Sequence, residues 1–162
     1  AQGQPVTSDD LRAALDRVDA GRCRVLYMHT GLSFGQPNPA LSRADLLGAI
    51  YQSVRDLGVP TLCVPTYTFS FCNGEAYDSA QSRSRMGALN EFIRRLPEAV
   101  RSADPLLSVA VVGEDRDLVE HLGHESIGAG STFDKLSDSN AFFKTGILTT
   151  RPPTFTARRK AM

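Results

Sequence analysis

The chain has 162 residues, with 18 Lys and Arg against 18 Asp and Glu, 41% hydrophobic residues, 13 Gly, 9 Pro, 3 Cys and no Trp. That is the composition of one globular domain, and it excludes fibrous and disordered classes. Uninterrupted apolar runs such as 109–112 fall far short of the roughly 20 residues a bilayer requires, and no secretory h-region opens the chain. Cys23, Cys63 and Cys72 are an odd set without a Cys-x-x-Cys pair, which predicts reduced thiols in a cytoplasmic protein rather than a disulfide framework or a metal knuckle. Arg151, Arg158, Arg159 and Lys160 crowd the last twelve residues, leaving 14 basic against 18 acidic residues before them. An acidic body whose basic tail lacks interleaved aromatics points to a cationic partner and away from nucleic acid.

In chain order, Ser8 is the expected cap of a first helix whose apolar face is Leu11, Leu15 and Val18, with Gly21 as its stop and Asp9 and Asp10 at its positive end. Residues 24–28 read as a short strand. After the Gly- and Pro-rich stretch 31–39, Ser42 opens a second helix carrying Leu46, Leu47, Ile50 and Val54 on one side, ended by Gly58. Residues 61–64 form the next buried strand. The segment 65–86 is polar and aromatic without periodicity, and loops of that length in a compact domain are usually functional. Helical spacing returns over 87–96, a strand-like run follows at 108–112, and a charged helix is expected over 115–122, closed by Gly123. Alternating strands and helices predict a single-domain layered α/β fold over residues 1–150, with a mixed or mostly parallel sheet, helices on both faces and an irregular basic tail at 151–162. Ligands in such sheets gather at the carboxyl ends of the strands.

Four local patterns carry chemistry. Gly31-Leu32-Ser33-Phe34-Gly35 matches a G-x-S-x-G nucleophile elbow after a strand, which leaves a serine hydrolase using Ser33 as an alternative; Pro37 and Pro39 oppose the immediate helix such an elbow needs. Glu120, His121, His124 and Glu125 offer metal-type ligands at helical spacing without a recognisable third position, so no metal is expected. His29 closes the first strand. Gly128 and Gly130 precede Ser131, which fits a capping box with Asp134, so free N–H groups at 130–132 form an expected anion cradle.

Five ordered segments then join these patterns: Val25-Leu26-Tyr27-Met28-His29-Thr30-Gly31-Leu32, Thr61-Leu62-Cys63-Val64-Pro65-Thr66-Tyr67-Thr68-Phe69, Met86-Gly87-Ala88-Leu89-Asn90-Glu91-Phe92, Arg101-Ser102-Ala103-Asp104-Pro105-Leu106-Leu107-Ser108 and Gly130-Ser131-Thr132-Phe133-Asp134-Lys135-Leu136. Together they resemble the aminoglycoside 3-N-acetyltransferase family over about residues 22–148. The resemblance implies acetyl transfer from acetyl-CoA, as co-substrate, to an amino group of a cationic amino sugar, the 3-amino group of 2-deoxystreptamine. It implies donor contacts at His29, Thr30, Gly31, Leu32 and Ser33 and at Gly130, Ser131 and Thr132. Thr66, Thr68 and Asp104 would be the catalytic set, and Tyr67, Glu75, Tyr77 and Asp78 the acceptor contacts.

Two departures stand out. Asp104 occupies the position where the family carries a histidine in its R-S-x-H-P segment. Relatives are also longer, and their T-F-x-H-x-x-E motif, which supplies a general base, is replaced here by Thr154-Phe155-Thr156-Ala157-Arg158-Arg159-Lys160. A catalytically incomplete or altered C-terminal end is therefore one expectation. The strings at 68–74 and 104–108 look like the branch associated with surface polysaccharides, which makes a glycan or nucleotide-linked amino sugar the alternative acceptor. A homodimer is allowed by the sequence, without a residue pattern that demands it.

Overall fold

The computed structural model describes residues 5–32, 38–139 and 141–147. In chain order the elements are α1 (Ser8–Asp16), β1 (Val25–Gly31), α2 (Arg43–Arg55), β2 (Thr61–Pro65), α3 (Ser70–Asn73), α4 (Ala88–Arg94), β3 (Val100–Arg101), β4 (Val109–Gly113), a 3-10 turn (Arg116–Leu118), α5 (Thr132–Asp138) and β5 (Phe142–Ile147). The sheet has five strands in the order β3-β4-β2-β1-β5. β1 pairs parallel with both β2 and β5, whereas β4 runs antiparallel to β2 and β3. This is the expected mixed sheet.

Strand alternation sorts side chains onto two covered faces. Leu26, Met28, Leu62, Val64, Ala110 and Val112 pack with Leu11, Leu15, Leu47, Ile50, Val54, Leu89 and Ile93 from α1, α2 and α4. Val25, Tyr27, Cys63, Val109 and Val111 face the other way, against Leu118, Val119 and Leu136. Burial on both faces explains why β2 and β4 read as unbroken apolar runs instead of alternating ones.

Several boundaries move for local reasons. Thr7, not Ser8, caps α1: its hydroxyl accepts from the Asp10 N–H at 3.1 Å, while Asp10 accepts from the Thr7 N–H at 2.9 Å, a complete capping box. Ser42 caps α2 as the sequence indicates, through the Asp45 N–H at 3.1 Å. β1 runs three residues beyond Met28 because β5 extends the ladder, pairing Gly31 with Ile147.

The charged helix expected over 115–122 is only the 3-10 turn Arg116–Leu118. Asp115 cannot cap it, since its carboxylate accepts from Thr61 Oγ1 at 2.7 Å and from Arg24 at 2.8 Å and 3.1 Å. Lys135 Nζ binds the Asp117 and Glu120 carbonyl oxygens, both at 2.6 Å, and His121 enters left-handed backbone at φ 51°, so helical hydrogen bonding stops. Burial of adjacent Leu118 and Val119 holds the turn on the sheet.

At the edge of β4, Gly113 has φ 127°, and a Cβ there would lie 2.1 Å from the Pro60 carbonyl oxygen. Only glycine fits this close approach of β4 to the start of β2. Among the described residues, no helix is long and apolar enough to cross a membrane.

Candidate functional site

The carboxyl end of β2 leads into the long 65–86 segment, and that segment builds one wall of a cleft of about 920 Å³. The opposite wall is the start of α2, at Arg43 and Leu47, and the floor is α4, through Ala88, Glu91 and Phe92. A volume of this size is that of a cofactor- or drug-sized ligand site. Asn90 fastens α4 to the strand end, its Nδ2 donating to the Pro65 carbonyl at 2.7 Å from a fully buried position.

Four arginines line the cleft: Arg43, Arg83, Arg85 and Arg95. Arg43 and Arg83 are exposed and make no ion pair among the described residues. Arg85 approaches Glu75 at 3.7 Å, and Arg95 approaches Glu91 at 3.8 Å. Glu91 is held mainly by Arg94, at 2.7 Å and 2.9 Å, and by the Ser84 N–H at 2.9 Å. Burial works to raise the Glu91 carboxyl, but these bonds outweigh it and keep the group below the ordinary glutamate range. With both acids engaged by arginines, the cleft presents surplus positive charge and suits an anionic ligand.

Two of the expected site residues meet this cleft. Thr68 and Glu75 line it. Thr66 does not: it is fully buried, its hydroxyl donates to Ser108 and accepts from Arg101 Nε at 3.0 Å, and no surface remains for a reacting group. Its place is structural, at the strand end. The Thr68 hydroxyl donates to the Pro105 carbonyl at 3.0 Å and accepts from Ser70 Oγ at 2.9 Å, so its proton is engaged as well.

Asp104 closes a turn, with Oδ1 accepting from Leu106 N at 2.7 Å, Leu107 N at 3.0 Å and Ser126 Oγ at 2.9 Å. An aspartate suits that position because its short carboxylate reaches two N–H groups of its own chain. Tyr67 shares a 2.8 Å hydroxyl contact with Tyr27, and burial pushes both phenols up. Tyr77 donates to the Ser102 carbonyl at 2.6 Å. Asp78 is exposed, and its Oδ1 accepts from Ala80 N at 2.7 Å and Gln81 N at 2.9 Å.

His29, Thr30, Gly31 and Leu32 sit at the carboxyl end of β1, on the connection toward α2; Ser33 lies outside the described residues. α2 starts only at Arg43, so the described helix does not follow Ser33 directly, as a nucleophile elbow requires. The loop at 130–132 differs from a free anion cradle. Asp134 Oδ2 accepts from the Gly130 N–H at 2.7 Å, and Ser131 and Thr132 are buried. A carboxylate already stands where a phosphate would be held. The glutamate and histidine residues at 120–125 do not converge on a metal site with a third ligand among the described residues.

The arginine set escaped the sequence reading because its members come from α2, the loop and α4, with no spacing to tie them together. The one signal was the length of the 65–86 segment.

Comparison with known proteins identifies the fold and the family. The sequence profile of the aminoglycoside 3-N-acetyltransferase family matches residues 43–143. No curated protein matches the sequence. Among solved structures, the YokD protein from Bacillus subtilis is similar at 20% identity and TM-score 0.69, over 86% of this chain and 64% of that one. A structure of AAC-IIIb, described as binary with CoASH, is similar at 20% identity and TM-score 0.72, over 90% of this chain and 60% of that one. The aminoglycoside acetyltransferase AAC(3)-Xa is similar at 24% identity and TM-score 0.69, over 86% of this chain and 55% of that one. The chain thus spans about three fifths of the length of these relatives and shares their fold. With more than half of its residues matched by that profile, the chain belongs to the aminoglycoside 3-N-acetyltransferase family.

Proposed function

We propose that the chain forms the acetyl-CoA site of an N-acetyltransferase whose acceptor is an amino group of an amino sugar. The observation that carries this reading is the 920 Å³ cleft with Arg43, Arg83, Arg85 and Arg95 on its walls. Guanidinium groups bind phosphate oxygens in bidentate fashion, and coenzyme A brings several phosphates to such a rim. We assign His29, Thr30 and Leu32, at the carboxyl end of β1, to the pantetheine arm. The described AAC-IIIb relative carries CoASH, which agrees with a donor site in this fold.

Direct transfer needs a neutral amine to attack the thioester carbonyl. The N–C bond forms, the C–S bond breaks, the thiol leaves and the amine gives up a proton. Thr66 and Thr68 support this site by shaping the end of β2; their own protons are engaged, so backbone N–H groups along the cleft would serve the developing oxyanion. Glu75, on the cleft wall, and Asp78, exposed on the same loop, would receive the ammonium groups of the acceptor. AAC-VIa is described bound to sisomicin, and an AAC(3)-IVa variant with apramycin. The first acceptor class for this chain is therefore an aminoglycoside, with the 3-amino group of 2-deoxystreptamine as target. A nucleotide-linked or glycan amino sugar is the second. We place the whole site in a single domain of residues 1–150, working in the cytoplasm where acetyl-CoA is made.

Mass spectrometry of 2-deoxystreptamine aminoglycosides and nucleotide-linked amino sugars, each incubated with acetyl-CoA and the chain, tests the reading. A gain of one acetyl group on a member of either class is the expected result and identifies the acceptor. Binding of CoA without acetyl gain would restrict this chain to the donor half of the reaction, and absence of both would overturn the reading.

A further inference from the structure

The wall of the cleft at residues 82–85 belongs to no helix or strand, so something else must fix its shape. The Ser84 N–H donates to Glu91 and the Arg85 N–H to the Tyr67 carbonyl, both at 2.9 Å, while Arg101, on the two-residue edge strand β3, holds the stretch that leads into them. Its Nε donates to Thr66 Oγ1 at 3.0 Å and one terminal nitrogen donates to the Thr66 carbonyl at 2.6 Å. The other terminal nitrogen donates to the carbonyls of Ser82 at 2.5 Å and Ser79 at 3.2 Å. The Tyr77 ring centroid lies 5.1 Å from the guanidinium carbon. Arg94 adds a bond to the Ala80 carbonyl at 2.6 Å.

Three carbonyl oxygens of one loop thus turn inward onto two guanidinium groups. On the other side, Asp78 holds the N–H groups of Ala80 and Gln81. Arg101 forms no ion pair among the described residues; burial lowers its affinity for the proton, and carbonyl dipoles with an aromatic face supply the compensation. A half-buried cation kept without a carboxylate is costly, and a planar fork of donors is what lysine cannot reproduce.

We propose that Arg101 is a positioning residue for the bound donor: by holding the 79–82 backbone against the end of β2, with Arg94 beside it, it sets where Arg83 and Arg85 meet the ligand. This rests on the donor reading of the cleft. The clamp and the reading have separate tests.

Arg101→Lys keeps the charge and removes the fork. Hydrogen exchange followed by mass spectrometry is expected to show amides 78–85 exchanging at least about tenfold faster, while β2 and β4 keep their protection. In calorimetric titration the Kd for CoA rises by about tenfold, and in turnover the KM for acetyl-CoA rises with kcat changed less than about twofold. Tyr77→Leu removes the ring under the guanidinium and leaves its donors. It also removes the hydroxyl bond to the Ser102 carbonyl, which Tyr77→Phe removes alone; loosening of the same amides beyond that of Tyr77→Phe decides the matter if the lysine variant fails to fold. Unchanged exchange at 78–85 refutes the clamp. So does an equal rise throughout the sheet, or a loosened loop with unaltered CoA affinity. A wild-type chain that fails to bind CoA refutes instead the ligand assigned to the cleft, while the exchange result still decides whether Arg101 holds the loop.

Discussion

Replacing Glu91 with glutamine tests how the floor of the cleft is held. Glu91 accepts two hydrogen bonds from Arg94 and one from the Ser84 N–H, and the side chains of Arg94 and Glu91 are only 6% and 14% exposed. Glu91→Gln removes the charge and leaves one neutral acceptor. At least one charge-assisted bond disappears, worth about 1.5–3 kcal/mol, and the full cost of breaking a buried pair, about 3–5 kcal/mol, is the ceiling. The expected loss at neutral pH is about 2–3 kcal/mol, or roughly 4–12 °C in melting temperature for a chain of this size. Urea titration as a function of pH is the assay. Since the native carboxyl lies below its unfolded value of roughly 4.3, its contribution is complete above that value and fades as the pH falls through the lower, native one. The gap between wild type and variant should therefore be full at neutral pH and shrink in acid. A loss under about 0.5 kcal/mol at neutral pH would refute the reasoning, since that is the range of a dispensable surface pair. A gap of equal size at neutral and strongly acidic pH would refute it too.

Two other predictions concern the frame around the cleft. Gly113→Ala brings a Cβ to 2.1 Å from the Pro60 carbonyl at φ 127° and should destabilise the fold by more than about 3 kcal/mol in a denaturant titration; a change below about 1 kcal/mol would contradict the close approach of β4 to β2. Cys72 is exposed, whereas Cys63 is buried and its thiol is pushed up by burial and by the charge of Asp115. Iodoacetamide at mildly alkaline pH should therefore modify Cys72 in the native protein and reach Cys63 only after unfolding, as read by peptide mass spectrometry.

Much of the fold was legible because its strands are buried on both faces. The apolar runs at 61–64 and 108–112 mark β2 and β4 directly, and Ser42 marks the start of α2 through the same hydroxyl that caps it. β3 was not legible: two residues carry no period, and Arg101 looks like an ordinary surface arginine until the loop carbonyls are seen around it. The antiparallel direction of β4 was equally hidden, because burial on two faces gives the same run in either direction. The expected helix over 115–122 failed through tertiary contacts, with Lys135 and Arg24 taking groups that a helix would have used.

The cleft was legible by location more than by residue. The segment after β2 does build the cleft, and Glu75 and Thr68 line it. Thr66 and Asp104 belong instead to the hydrogen bonding that holds the strand end and the following turns. Residue type alone could not separate the two outcomes, since a hydroxyl beside a strand end serves chemistry and loop anchoring equally well. The cleft arginines became visible only when the fold brought positions 43, 83, 85 and 95 around one volume.

The central claim is that this arginine-lined cleft holds the phosphates of the donor. Isothermal titration of CoA into the wild-type chain and into an Arg43→Glu, Arg83→Glu double variant tests it most directly. One saturable site in the wild type, weakened at least about tenfold by the charge reversal, or about 1.4 kcal/mol, is the predicted result. Equal affinity in the two proteins, or no binding to the wild type at millimolar CoA, would contradict it.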